Sequence, residues 1–271
     1  MPIVNFYRLD RSAIFASQSD PRFAYCTYMP SSYEPGAGRT YPLAVLVHGS
    51  LRNAYELRDQ FVDFAERHEC ALLAPLFPCG IFGPDDFNNY KHLAYRGLRY
   101  DLALLDMIDE ISEIFPLRSD RFLMHGFSGG AQFAHRFYYC HPDRLLGVSI
   151  AAPGTVTLPE GGRPWWVGTS DMETVLGVPL RLDRLRNVAV QLVIGAEDTN
   201  AQGVTVGPGS SFAMPGANDA GPTRMERLCS LRDGLAKMEV PVDFEIVPGA
   251  GHDGARIQGP VKEFFRRVLS E

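Results

Sequence analysis

Gly126-Phe127-Ser128-Gly129-Gly130 lies between a short apolar run, Arg121-Phe122-Leu123-Met124, and a helix-like run over residues 131–139. The reading of these five residues decides the fold. In the pattern G-x-S-x-G, a serine on a tight strand-to-helix turn is thrust out of the sheet with its hydroxyl exposed. The two outer glycines lack side chains, which lets helix and strand approach closely. A pattern this short arises by chance in roughly one chain in seven of this composition, so its surroundings carry the argument.

Outward from the turn, strand-like and helix-like runs alternate. Residues 4–9 and 22–29 read as two strands before any helix, forming an antiparallel edge. A polar turn over 31–39 leads to Pro42-Leu43-Ala44-Val45-Leu46-Val47, a continuous apolar run suited to a strand buried on both faces. A helix is expected over 54–67, with Phe61, Phe64 and Ala65 on one core-facing stripe. A strand over 70–76, a loop over 77–90 and a helix over 97–114 follow, the helix with Leu102, Leu105, Ile108 and Ile111 at helical spacing. Beyond the serine turn come strands over 145–151, 188–194 and 242–247, and helices over 222–238 and 258–269. This order predicts an α/β fold with a mostly parallel central sheet and helices on both faces. One domain spanning residues 1–271 is expected, since no linker, charge block or repeat marks a join.

Two stretches break the alternation. Residues 153–186 hold both tryptophans, Trp165 and Trp166, and read as an ordered lid-like or pocket insertion. Residues 200–221 are rich in Gly, Pro and Asn and have the composition of a mobile loop.

The composition is that of an ordinary soluble globular protein, 45% hydrophobic and 21% charged. A net charge of −6 with scattered Lys and Arg argues against a nucleic-acid partner. No apolar stretch reaches transmembrane length, so no membrane partner is expected. Met1-Pro2-Ile3-Val4-Asn5 lacks the basic and apolar regions of a leader. Five cysteines (Cys26, Cys70, Cys79, Cys140 and Cys229) form no C-x-x-C, which points to reduced thiols and a cytoplasmic location. The histidines show no metal-binding spacing; His92, His135 and His141 read as surface or satisfied polar residues. No metal and no cofactor are expected.

A nucleophilic serine needs a base, and the base needs an orienting carboxylate. Asp198 closely follows the strand over 188–194, and His252 follows the strand over 242–247. Both fall at carboxyl ends of strands, where catalytic groups gather in open α/β sheets. Glu197 and Asp171 are rival acids; Asp253 is set aside because adjacent side chains on a loop seldom face each other. His48 and His125 read as structural supports. An oxyanion hole needs two backbone amides. Gly129 supplies one, and Ser50 is preferred for the other, with Leu51 as the alternative. Leu51, Trp165 and Trp166 are the candidate substrate-binding residues, ordinary packing being the competing account of the tryptophans. Arg52 and Arg96 read as internal salt-bridge partners ahead of substrate-carboxylate binders, and Asn89 and Tyr90 sit in a loop overlooking the site.

Four segments, residues 48–53, 126–130 with Gln132-Phe133 and His135-Arg136, 151–159, and 247–254, together resemble poly(3-hydroxybutyrate) depolymerase-like serine esterases of the α/β-hydrolase superfamily. The resemblance runs patchily from about residue 41 to 254 and is most specific in H-G-S-L-R-N and P-G-A-G-H-D-G. It implies the α/β-hydrolase fold and a serine esterase with Ser128, Asp198 and His252 in the triad positions. With no leader or polymer-binding module, a small-molecule or oligomeric ester inside the cell is the expected substrate. Amide, thioester or carbon–carbon bond hydrolysis on the same triad, and a catalytically idle binding protein on this scaffold, are the alternatives. Neither the natural substrate nor the oligomeric state has a signature in the sequence.

Overall fold

The computed structural model describes residues 4–201 and 203–270; Met1, Pro2 and Ile3, which are part of the segment read for a leader, lie outside the described residues, as do Gln202 and Glu271. The chain begins with a sheet edge built differently from the expected pair of strands. Residues 4–9 do not form a strand. Asn5 caps a 3-10 turn over Phe6–Arg8 by accepting the Tyr7 amide. The edge pairing falls instead to two short strands, β1 (Asp10–Arg11) and β2 (Phe15–Ala16), both antiparallel to β3 (Ala24–Met29).

The long strands follow the apolar runs. β4 (Tyr41–Val47) is buried along its whole length, which explains why its sequence does not alternate. β5 (Ala71–Leu76) lies beside it. A small hairpin of β6 (Ala94–Tyr95) and β7 (Leu98–Arg99) stands apart from the sheet. β8 (Leu117–Phe127), β9 (Leu145–Ala151), β10 (Ala189–Gly195) and β11 (Val242–Val247) complete it. The spatial order is β1-β3-β5-β4-β8-β9-β10-β11, with β2 also on β3. Every pairing from β5 to β11 is parallel, while β3 meets β5 antiparallel.

Helices cover both faces. The single helix expected over 54–67 is broken into α1 (Ala54–Asp59) and α2 (Val62–His68). The break falls at Phe61, whose fully buried ring lies near Phe265 and His125. Burying a large apolar side chain contributes roughly 1.5–3 kcal/mol, and the Phe61 ring gains that burial at the break. α3 (Tyr100–Ile114) starts three residues later than expected, because Leu98 and Arg99 are taken by the hairpin. Its buried face is Ala103, Leu104, Met107, Ile108 and Ile111, leaving Leu102 exposed. α4 (Gly129–Cys140) is buried at every position. α5 (Met172–Leu176) and α6 (Leu182–Leu185) lie within the 153–186 stretch; α7 (Arg224–Lys237) and α8 (Gln258–Ser270) close the chain.

Two apolar cores result, one on each face of the sheet. Met107, Phe133 and Leu231 belong to one, and Leu57, Phe64 and Phe265 to the other. A small third cluster joins Trp166, Val167 and Ala217 across the two irregular stretches. The architecture is mixed α/β with a mostly parallel central sheet flanked by helices, as the alternation predicted. Among the described residues no helix is long and apolar enough to cross a membrane. All five cysteines are unpaired.

Candidate active site

β8 runs straight into Ser128, which caps α4 with φ 56° and ψ −109°. Such a conformation costs a non-glycine residue about 1–3 kcal/mol. Two hydrogen bonds hold it: the Ser128 amide donates to Ala151 O at 2.8 Å, and the Gln132 amide donates to Ser128 O at 3.2 Å. The flanking glycines are steric requirements. A Cβ on Gly126 would overlap the Gly130 carbonyl, and one on Gly130 would overlap the carbonyl of Val47.

The turns after β10 and β11 bring two further side chains to the same place. His252 Nε2 lies 3.1 Å from Ser128 Oγ, and His252 Nδ1 lies 2.7 Å from Asp198 Oδ2. The Phe127 ring stacks on the imidazole at 4.7 Å between centroids. Asp198 is buried, and Arg224, the first residue of α7, donates to its Oδ1 at 3.3 Å. The rival carboxylates face elsewhere. Glu197 is exposed, Asp171 accepts the Trp165 amide at 2.5 Å, and Asp253 accepts the Ala255 amide at 2.9 Å.

The loop after β4 closes over the other side of the serine. The Ser50 amide nitrogen lies 3.1 Å from where a Gly129 Cβ would stand, so the two residues are immediate neighbours. Three groups hold the loop in place. The Tyr90 hydroxyl donates to His48 O at 2.9 Å, and His48 Nε2 accepts the Phe77 amide at 3.0 Å. Burial pushes the His48 imidazole down to about 3, so it is neutral. The Arg52 guanidinium donates to the carbonyls of Ser50, Phe77 and Phe87 at 2.6, 3.2 and 2.7 Å. Arg52 was expected to pair with a carboxylate; it serves backbone carbonyls instead, because Ser50 of its own loop and Phe77 and Phe87 of the loop after β5 turn theirs toward it. Arg96 lies over the rings of Phe82 and Tyr95, again with aromatic rather than acidic neighbours.

Of the candidate substrate-binding residues, Leu51 stands 90% exposed beside Ser50. Trp165 packs partly buried against the main core. Trp166 is buried; its Nε1 donates to Phe212 O at 3.0 Å, and its ring faces His92 and the Arg136 guanidinium. His92 and His135 are not surface residues. His135 bonds Ala131 O and the Thr157 amide, whereas His92 Nδ1 is buried with no hydrogen-bond partner among the described residues. Asn89 is buried below the loop, donating to Pro78 O and Asp86. Among the described residues no group of three or more His, Cys, Asp or Glu is gathered as for a metal ion.

Sequence reading did not single out Arg224, Phe127 or Lys91. Arg224 had no signal beyond its place at a helix start. Phe127 occupies the free position of the G-x-S-x-G pattern, and Lys91 sits in a loop whose approach to the elbow is purely tertiary.

Solved structures to which this chain is similar include hydrolases. Poly(aspartic acid) hydrolase-1 from Sphingomonas sp. KT-1 is 19% identical, with a TM-score of 0.69 over 89% of this chain and 92% of that one. A poly(3-hydroxybutyrate) depolymerase from Bordetella parapertussis is 26% identical, with a TM-score of 0.68 over 90% of this chain and 83% of that one. S-formylglutathione hydrolase from Staphylococcus aureus is 15% identical, with a TM-score of 0.63 over 95% of this chain and 97% of that one. No protein-family model and no curated protein matches the chain. The chain has the α/β-hydrolase fold and is similar to esterases and serine hydrolases.

Proposed function

We propose that the protein is a serine hydrolase that cleaves a carboxylic ester through an acyl-enzyme on Ser128, His252 and Asp198. The observation that carries this reading is the hydrogen-bonded line from Ser128 Oγ through His252 to Asp198, on a serine held at positive φ. His252 Nδ1–H donates to Asp198, which leaves Nε2 free to accept the Ser128 proton. The serine oxygen attacks the ester carbonyl, and negative charge develops on the carbonyl oxygen. The amides of Gly129 and Ser50 are the donors for that charge, each worth about 2.7–4 kcal/mol in comparable sites. The intermediate collapses, the alcohol leaves with the proton from His252, and water activated by His252 releases the acid. Arg224 is a positioning residue that fixes Asp198.

The substrate in this reading is a small or oligomeric ester. Unpaired cysteines support the expected cytoplasmic setting, and the net charge of −6 gives no support to nucleic acid as a partner. Thioester and amide hydrolysis use the same chemistry, and matched ester, thioester and amide substrates separate them.

Ser128→Ala is expected to lower kcat on an activated ester by at least about 10⁴-fold, with the fold retained by circular dichroism. A fluorophosphonate should label the unmodified protein and not the variant. Ester turnover that survives the substitution overturns the proposal.

A further inference from the structure

Two buried cations, Lys91 and Arg136, lie against the elbow helix, and a third, Arg227, reaches Gly154 next to Gln132 of that helix. Lys91 is 7% exposed, and its ammonium donates to Asn88 Oδ1 at 2.6 Å. Arg136, on α4, is fully buried; its guanidinium donates to Lys91 O, Gln132 O, Thr155 Oγ1 and Thr157 Oγ1. Arg227, on α7, donates to Gly154 O, Gly221 O and Asn218 Oδ1. Every one of these acceptors is neutral, and among the described residues none of the three cations forms an ion pair. Burial without a counter-charge pushes Arg136 down to about 9 and Lys91 to about 8. A protein interior retains such charge at a cost unless an anion comes to meet it.

A cavity of about 260 Å³ opens beside them, lined in part by Lys91, His92, Gln132, Thr155, Val204 and Phe212. His92 is 5% exposed, and among the described residues its enclosed Nδ1 has no hydrogen-bond partner. The Thr155 hydroxyl donates to Gln132 Oε1 at 2.6 Å, which commits the oxygen of that amide and leaves its NH₂ as the end with donors to offer. The cavity adjoins the elbow through Lys91, whose Cε lies 3.0 Å from the Cβ position of Gly129. None of these lining residues is acidic.

We propose that this cavity receives a carboxylate of the substrate, so that the ester cleaved at Ser128 is one carrying a free acid group. The proposal rests on the reading of Ser128 as nucleophile. Lys91 is the specificity-determining residue: its ammonium has protons beyond the one given to Asn88 and pairs with the carboxylate. Gln132 supplies neutral amide donors beside the same group. Arg136 and Arg227, already bonded to neutral oxygens, contribute field rather than contact. One ammonium beside a neutral amide matches a monoanion.

The test compares ester pairs that differ in one negative charge. On the acyl side the pair is para-nitrophenyl hemisuccinate and para-nitrophenyl butyrate; on the alcohol side it is meta-acetoxybenzoate and phenyl acetate. At neutral pH and low salt the enzyme should prefer the charged member of at least one pair by about tenfold or more in kcat/KM, the scale of a charge-assisted hydrogen bond. Lys91→Met should lower kcat/KM for that charged ester about tenfold more than for its neutral partner. Lys91 is charged below about 8, so the charged-to-neutral ratio should fall as pH rises through that value. Arg52, Arg136, His92 and the Cys79 thiol are the other charged or titratable groups acting on that ammonium. A ratio of one or less in both pairs overturns the inference, as does a preference that survives Lys91→Met. The ratio is measured on the unmodified enzyme, so a variant that does not fold leaves that arm standing. Neutral-ester turnover and fluorophosphonate labelling without charge preference sink this inference alone. Their joint absence sinks the Ser128 reading and this inference with it.

Discussion

Gly130 meets the backbone of β4 at the point where α4 leaves the elbow. A methyl group there would overlap the Val47 carbonyl, and backbone on both sides leaves nothing flexible to move. Gly130→Ala is therefore expected to destabilise the protein by about 2–3 kcal/mol or more, read as a lower urea midpoint. Gly161→Ala, where nothing lies within 4 Å of the added carbon, is the matched control and should stay within about 0.5 kcal/mol. Equal midpoints for the two variants would remove the steric account of the motif. At this scale the positions that meet at the elbow, Ser128, His252 and Asp198, were legible because residue type and position after a strand are both written in the sequence. The role of Arg52 was not legible. A guanidinium finds carbonyls or carboxylates depending on what surrounds it in the fold, and only the packing of two loops turned the carbonyls of Ser50, Phe77 and Phe87 toward Arg52.

Among the elements, α7 shows its start in the sequence. Thr223 and Glu226 form a capping box: the Thr223 side chain accepts the Glu226 amide, and the Glu226 carboxylate accepts the Thr223 amide. Thr223→Ala should cost about 1 kcal/mol in a denaturant titration. Because the next residue, Arg224, reaches Asp198, the same variant reports on how firmly the helix start positions the acid. A change in kcat below about tenfold is expected, since the His252–Asp198 contact does not pass through the cap. No loss of stability would show that the box is not formed in solution. The break between α1 and α2 had no such signal. Phe61 matches the helical stripe, and its departure from the helix is decided by the partners waiting in the core, Phe265 and His125.

Across the whole molecule, the buried histidines set a pH limit on stability. Burial holds His48 down to about 3 and His125 to about 4, and it holds His92 and His135 well below their ordinary value. In the unfolded chain all four bind protons near pH 6.5. Between the folded and unfolded values the unfolded state binds more protons. Stability is therefore fully present above about 6.5 and falls as pH drops, by up to about 1.4 kcal/mol per pH unit for each group. The melting temperature should stay level above about pH 6.5 and decrease from there toward pH 5, and a flat or rising profile below about 6.5 would contradict this burial account. The sequence by itself determined the α/β alternation, the continuous apolar strands and the three residues that converge at the elbow, because hydrophobic period, strand length and turn chemistry are local properties. Tertiary structure alone decided that Phe61 breaks a helix, that Arg52 serves backbone carbonyls, and that Lys91, Arg136 and Arg227 are buried with no ion pair among the described residues. Those outcomes depend on which distant groups share a small volume, and burial changes the energy of a charge far more than its neighbours in sequence do.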